Sequence, residues 1–293
     1  MIDEISAKLI LFSAIEAGNA FWVNEINTHG ATTVYCKIIE DRKYPMQPNI
    51  SKLRYQIKSR DLGQLQAEIN QANAFFITSE SIDWPTSLNA LATPPIGLVF
   101  LGNRESLATL EHSISIVGSR RPTNYGVTVA KKLSNEAALS GVCVVSGGAY
   151  GIDTAAHTGA LAAAGVTISV LAGGVNNLYP PENQGLFKQI SVSGLLVSES
   201  MPSASTAPYK FLIRNRLIAA LTKATVVVEA EFVSGSIRTA RDAAEIFRPV
   251  FAIPGEITSP LSEGCHRLIS ERVADIATSL DEILDVITPL QLR

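Results

Sequence analysis

Ile114–Arg120 reads I-S-I-V-G-S-R, and Val144–Asp153 reads V-V-S-G-G-A-Y-G-I-D. Each is a short β-branched run that breaks into glycine and then opens a helical pattern. A buried strand that feeds a helix through glycine leaves backbone N–H groups at the helix N-terminus, and these suit an anion such as phosphate. Outward from these turns, a regular alternation begins at Ser113. The strand candidates are Ile114–Val117, Val142–Val145, Thr167–Leu171, Leu195–Ser198, Thr225–Val228, Val250–Ile253 and Ala274–Ala277. Most are continuous apolar runs, as expected of strands covered on both faces. Helical patterns lie between them: Tyr125–Leu139, Thr154–Ala164, Asn183–Val192, Tyr209–Leu221, Ser236–Phe247 and Cys265–Arg272, with Ser279–Ile287 closing the series. This reads as an α/β fold with a doubly wound parallel sheet.

Upstream the pattern changes. Ser6–Ala17 and Leu62–Ala74 have apolar residues at helical spacing, and Gly18 and Gly30 punctuate helix ends. Residues 1–73 therefore read as a small helical accessory domain. Residues 74–293 read as the core, with an extended lead-in over 74–112 that holds strand candidates at Phe75–Thr78 and Ile96–Leu101.

Composition narrows the function classes. Of 293 residues 46% are hydrophobic and only 17% charged, which describes a chain with a large core. No stretch approaches the roughly 18 apolar residues of a membrane span. Met1–Glu4 lacks a basic lead, which reads against a secretory signal. Cys36, Cys143 and Cys265 are far apart and form no metal-spaced cluster. The net charge of −3 offers no global support for nucleic-acid binding, so a polyanion site must be a local cluster.

The first turn, Gly118-Ser119-Arg120-Arg121, is neither G-x-G-x-x-G nor a P-loop. It places arginines where open α/β sheets bind ligands. In the second turn Ser146, Gly147, Gly148 and Gly151 allow close backbone approach. There Asp153 fits an N-cap or a ligand contact, and His157 fits packing better than acid–base work. Gly173-Gly174 follows the third core strand, and Tyr179 beyond it fits either base stacking or loop anchoring. Lys210, Arg214, Asn215 and Arg216 open an apolar helix. One arginine is expected to pair internally, with Glu199 or Glu229, and the other to meet phosphate. Ser234-Gly235-Ser236 is a fourth phosphate-friendly helix start, or a cap. No nucleophile–base pair, metal set or catalytic carboxylate pair has convincing spacing, which favours binding over catalysis.

In this order the motifs resemble the DNA processing protein A (DprA/Smf) family. The matching segments are Ile116–Arg120 with Tyr125-Gly126, Ser146–Asp153 with His157, and Thr167–Gly174 with Tyr179-Pro180. Further matches are Ser198-Glu199, Arg214–Arg216, Glu229-Ala230 with Ser234–Ser236, and Phe251–Gly255. The resemblance implies a Rossmann-like core that binds single-stranded DNA. It also implies a homodimer, delivery of RecA onto incoming DNA in natural transformation and recombination, a cytoplasmic setting, and neither enzymatic turnover nor cofactor. The dimer interface is expected on Cys265–Arg272 and Ser279–Ile287, whose apolar residues Leu268, Ile269, Leu280, Ile283, Leu284 and Ile287 read equally as core. The sequence departs from the family at Tyr150, where many members carry arginine, at Leu212, often proline, and at His266, commonly asparagine. Two alternatives stay open: a nucleotide-cleaving phosphoribohydrolase-like enzyme and a nucleotide-sensing Rossmann-like domain. The enzyme's P-G-G-x-G-T-x-x-E signature is not matched by Ser234–Ala240.

Overall fold

The computed structural model describes residues 2–40, 44 and 50–288. Nine strands form one sheet: β1 (Ala74–Ile77), β2 (Leu98–Gly102), β3 (Ser113–Gly118), β4 (Cys143–Ser146), β5 (Thr167–Leu171), β6 (Leu195–Ser198), β7 (Ala224–Val228), β8 (Val250–Ala252) and β9 (Asp275–Ile276). Their spatial order is β1-β2-β6-β5-β4-β3-β7-β8-β9. From β6 through β9 every pairing is parallel. Each connection between consecutive core strands carries a helix: α6 (Asn124–Leu139), α7 (Ile152–Ala162), α8 (Gln184–Ser193), α9 (Pro208–Ala220), α10 (Gly235–Glu245) and α11 (Glu263–Ser270). α12 (Leu280–Ile287) follows β9, capped by Ser279, whose side chain accepts from the Glu282 N–H.

The alternating side chains of the core strands face two apolar layers. Ile114, Ile116, Val144, Val226 and Val228 pack with residues of α6, α7 and α12. Val117, Val145 and Val227 pack on the other face with residues of α9, α10 and α11. The winding on both faces expected from the apolar runs is therefore present, and the fold is Rossmann-like.

The lead-in strands depart from the all-parallel expectation. β1 pairs antiparallel with β2, and β2 pairs antiparallel with β6. Parallel neighbours need a crossover of a dozen or more residues, usually a helix. The segment between β1 and β2 holds only a 3₁₀ helix at Thr86–Ala90, and the chain simply turns back.

Five helices precede the sheet: α1 (Glu4–Ala14), α2 (Ala20–His29), α3 (Ala31–Ile39), α4 (Ile50–Lys58) and α5 (Leu62–Gln71). Asp3, Asn19 and Asp61 cap α1, α2 and α5 by accepting N–H groups of the first turn. Gly30 ends α2 at φ 80, a conformation that favours glycine. A division between residues 73 and 74 separates α5 from β1. Both sides nevertheless bury one apolar cluster, in which Leu11, Phe12 and Trp22 join Val99, Leu171, Phe187 and Leu196.

Candidate functional site

From β3 the chain winds one way through β4, β5 and β6; from β7 it winds the other way through β8 and β9. β3 and β7 therefore flank the topological switch point, where open α/β sheets bind ligands at the carboxyl ends of their strands. A cavity of about 540 Å³ opens there. Gly118, Ser119, Arg120 and Arg121 supply one wall, Phe211, Arg214 and Asn215 of α9 another, and Ser234, Gly235 and Ser236 a third.

Arg120 and Arg121 are exposed and take part in no ion pair among the described residues. The Arg120 guanidinium lies 5.4 Å over the Phe211 ring, and the half-exposed Tyr179 meets Phe211 edge-on at 5.5 Å. Cation and aromatics thus stand together at the mouth, a combination suited to phosphate and base faces. Ser234 is the N-cap residue of α10, but its side chain does not cap; its Oγ shares a hydrogen bond with Ser236 Oγ at 2.6 Å. Asn215 Nδ2 donates to the Gly235 carbonyl at 3.0 Å and ties α9 to the start of α10.

Arg214 is buried below the mouth. Its Nη1 donates to the carbonyls of Gly147, at 2.8 Å, and Val170. Burial holds its pKa down at about 10, and the nearby Arg120 charge pushes the same way, so it remains cationic at neutral pH. Its counter-charge is Asp153, whose pKa burial raises while Arg214 and the loop N–H groups oppose the shift.

Several expectations need correction. Asp153 is not an N-cap: Gly151 occupies that position, and Asp153 sits one residue into α7. Asp153 Oδ2 accepts the N–H groups of Gly147 at 3.1 Å and Ala149 at 3.3 Å. The second glycine turn is indeed an anion cradle, but it holds the chain's own carboxylate. Ser146 is fully buried and donates to the Ile116 carbonyl at 2.7 Å. Gly148 and Gly151 are packing positions, since a Cβ would come within 2.4 Å of Phe187 and 2.3 Å of the Ser119 carbonyl oxygen respectively. The Gly173-Gly174 turn is covered by residues 201–206: the Gly174 N–H donates to the Ala204 carbonyl at 2.8 Å, and a Cβ on Gly174 would lie 2.1 Å from the Pro202 oxygen.

Two further cations lie outside the switch-point cavity, one of them in the internal pairing expected of one arginine. Arg216 Nη2 binds both carboxylate oxygens of Glu199, at 2.7 and 2.6 Å, and is the internally paired arginine. Lys210 donates to the Ser205 carbonyl at 2.8 Å and lines a different cavity. The other expected pairing partner, Glu229, accepts from the Thr123 backbone N–H at 2.8 Å and its hydroxyl at 2.5 Å. It adopts φ 53, a left-handed conformation uncommon for a non-glycine residue, at the end of β7. His157 has its packing role: it is fully buried, its Nδ1 shares a hydrogen bond with Thr167 Oγ1 at 2.7 Å, and burial pushes its pKa down to about 3.

The cavity residue that sequence reasoning left out is Phe211. A usable signal existed for Phe211, because i, i+3 spacing puts it on the helix face of Arg214.

The family model described as DNA recombination-mediator protein A matches residues 75–288. A putative DNA processing protein DprA of Mycobacterium tuberculosis is 40% identical over 222 residues, covering 72% of this chain and 57% of the relative. The DNA processing protein DprA of Streptococcus pneumoniae is 37% identical, covering 76% of this chain and 77% of the relative. The chain thus aligns with little more than half the length of the Mycobacterium relative. Among solved structures, DNA processing protein A from S. pneumoniae superposes with a TM-score of 0.80 at 29% identity over 99% of both chains. DNA processing protein A from Helicobacter pylori, studied for a single-stranded DNA binding mode, gives a TM-score of 0.65 at 29% identity over 73% of this chain and 96% of that one. On the family match and these relatives, the chain belongs to the DNA recombination-mediator protein A family, whose members are named DprA or Smf.

Proposed function

We propose that the protein binds single-stranded DNA at the switch-point cavity. The observation that carries this reading is the pair of exposed, unpaired guanidiniums of Arg120 and Arg121 beside the Phe211 and Tyr179 rings, above the buried cation of Arg214. Arginine holds phosphate, the half-exposed Tyr179 ring can take a base face without regard to sequence, and both contacts are available to a strand with splayed bases. The H. pylori relative supports the substrate class. The site set in this reading is Gly118, Ser119, Arg120, Arg121, Tyr179, Phe211, Arg214, Asn215, Ser234, Gly235 and Ser236.

Family membership supports the finer parts. They are DNA processing in natural transformation and recombination in the cytoplasm, loading of RecA onto the bound strand, and a homodimer through α11 and α12. Two sites on one strand gain roughly 10²–10⁴ in avidity where geometry allows, a gain of use to a chain of net charge −3. In this reading the protein acts by binding and not by turnover: the Glu229 carboxylate is taken up by Thr123, and the buried Asp153 carboxylate by the N–H groups of Gly147 and Ala149. The test is a salt titration of oligo-dT binding, run beside incubation with nucleoside monophosphates. A steep loss of affinity with salt, by a log–log slope of about −0.7 per phosphate contacted, is expected. Release of free base, or binding indifferent to salt, overturns the reading.

A further inference from the structure

A second cavity, of about 830 Å³, lies on the other side of α9, between the N-terminal helices and the carboxyl ends of β5 and β6. Arg214 lines both cavities, so the two adjoin through one buried cation. The ionisable groups of the second cavity fall into two sets. Glu199 is charge-paired with Arg216, while Glu68, which accepts the Ser203 N–H at 2.8 Å, and Glu16, which meets the Tyr209 hydroxyl, keep their charge. The cations keep donors to spare. Lys52 is exposed and has no ion-pair partner among the described residues. Lys210 uses one of its three N–H donors on Ser205, and the exposed Arg60 uses one on the Ser13 carbonyl at 3.2 Å.

Local charge runs the same way. Between Ile50 and Arg60 the sequence has Lys52, Arg54, Lys58 and Arg60 and no carboxylate, on a chain that is acidic overall. Tyr209, about half exposed, adds an aromatic ring at this groove. With Glu199 paired, Lys52, Arg60, Lys210 and Arg214 outnumber Glu16 and Glu68 in the lining, a balance that favours a polyanion, and the junction with the first cavity points to the strand held there.

We propose that a single strand held at the switch-point cavity continues past α9 into this groove, where Lys52, Arg60 and Lys210 hold its phosphates. This rests on the single-stranded DNA reading above and extends it to the N-terminal helices, which then form part of the nucleic-acid surface and are not only a structural annex. The first cavity takes a short strand alone; a longer strand reaches both.

The test uses the full chain and fluorescence anisotropy with oligo-dT of about 6 and about 20 nucleotides, within and beyond the span of one binding fold. The Lys52→Ala, Arg60→Ala double variant is expected to bind the short strand as the wild type does. It should bind the long strand more weakly, with the salt slope reduced by about 1.4 for two lost contacts. Lys58→Ala, exposed on the same helix outside the groove, is expected to bind both lengths as the wild type does. Wild-type binding of the long strand by the double variant overturns the groove and leaves the first cavity standing. Equal weakening of both lengths also overturns it, because the two cations would then act on the first cavity. If Arg120→Ala binds the short strand as tightly as wild type, or wild type binds neither length, the parent reading falls and takes the groove with it.

Discussion

The two glycine turns that open the sequence are alike on paper and opposite in use. Gly118–Arg121 and Ser146–Gly151 both carry a buried strand into a helix. In the second, the N–H groups of Gly147 and Ala149 close on Asp153, whose pKa burial raises while the Arg214 charge opposes the shift. In the first, the Ser119 N–H donates to the Glu229 carbonyl at 2.7 Å, the Arg121 N–H donates to Ser119 Oγ at 3.1 Å, and the two guanidiniums, one of them over the Phe211 ring, have no ion-pair partner among the described residues. One turn has made its anion part of the fold. The other leaves its cations exposed at the cavity mouth. A glycine turn therefore reports that an anion is wanted, and the tertiary neighbours decide whether it comes from inside.

The largest expected effect lies in the internally filled turn. Asp153→Ala removes the acceptor of the Gly147 and Ala149 N–H groups and the carboxylate whose charge favours the buried Arg214 cation, and losing hydrogen bonds to a charged group costs about 1.5–3 kcal/mol. Denaturant unfolding should show that loss directly. A stability change under about 1 kcal/mol would mean that solvent or another group compensates Arg214, and the contrast between the turns would dissolve.

The complementary change is Arg120→Ala with Arg121→Ala in the exposed turn. It should leave unfolding within about 0.5 kcal/mol of wild type, as surface substitutions do. Oligo-dT binding should weaken, with the salt slope reduced by about 0.7 for each arginine that meets a phosphate. Because phosphate contacts do not read sequence, the loss should be equal for dT and mixed-sequence strands. Unchanged affinity would place the ligand elsewhere.

Acid offers a third separation. His157, on the helix after the filled turn, is held neutral by burial, its pKa pushed from 6.5 to about 3. The unfolded chain then binds the proton more readily than the folded one. The contribution is fully present above pH 6.5 and is lost progressively as the pH falls toward about 3. Subtracting the unfolding free energies of His157→Gln from those of wild type should isolate a component that declines with acid over that window. A flat difference would place His157 in contact with solvent.

The smallest effect is expected at Gly235, where a Cβ would meet only Asn215 Nδ2 at 3.6 Å. Gly235→Ala should fold normally and alter stability by no more than about 1 kcal/mol, in the stabilising direction if helix propensity prevails. At Gly118, by contrast, a Cβ would lie 1.9 Å from the Val228 carbonyl oxygen, so Gly118→Ala should lower the melting temperature where Gly235→Ala does not. Thermal melts of both variants separate an open helix start from a packed turn within one site.

Much of the architecture was legible because it depends on local patterning. Thr167–Leu171 and Leu195–Ser198 are strands with the expected bounds, and the helices after them follow their apolar periodicity. α2, α3 and α4 were harder to read, since residues 20–58 mix polar and apolar positions without a clean stripe; Gly30 at the end of α2 was the clearest mark. In the site, Gly118–Arg120 and Ser234–Ser236 were readable as cavity walls because they follow the two strands that flank the switch point.

By itself the sequence determined where strands and helices form, that both faces of the core sheet are covered, and that cations collect at the carboxyl ends of its strands. These follow from side-chain periodicity and glycine placement, which act over a few residues. Only the tertiary structure decided that β1 and β2 run antiparallel, that Arg216 spends its charge on Glu199, that Asp153 fills the second turn, and that Lys210 faces the groove beyond α9. Each of those depends on which charges and backbone groups meet across tens of residues of chain, and burial makes their pairing compulsory once they do.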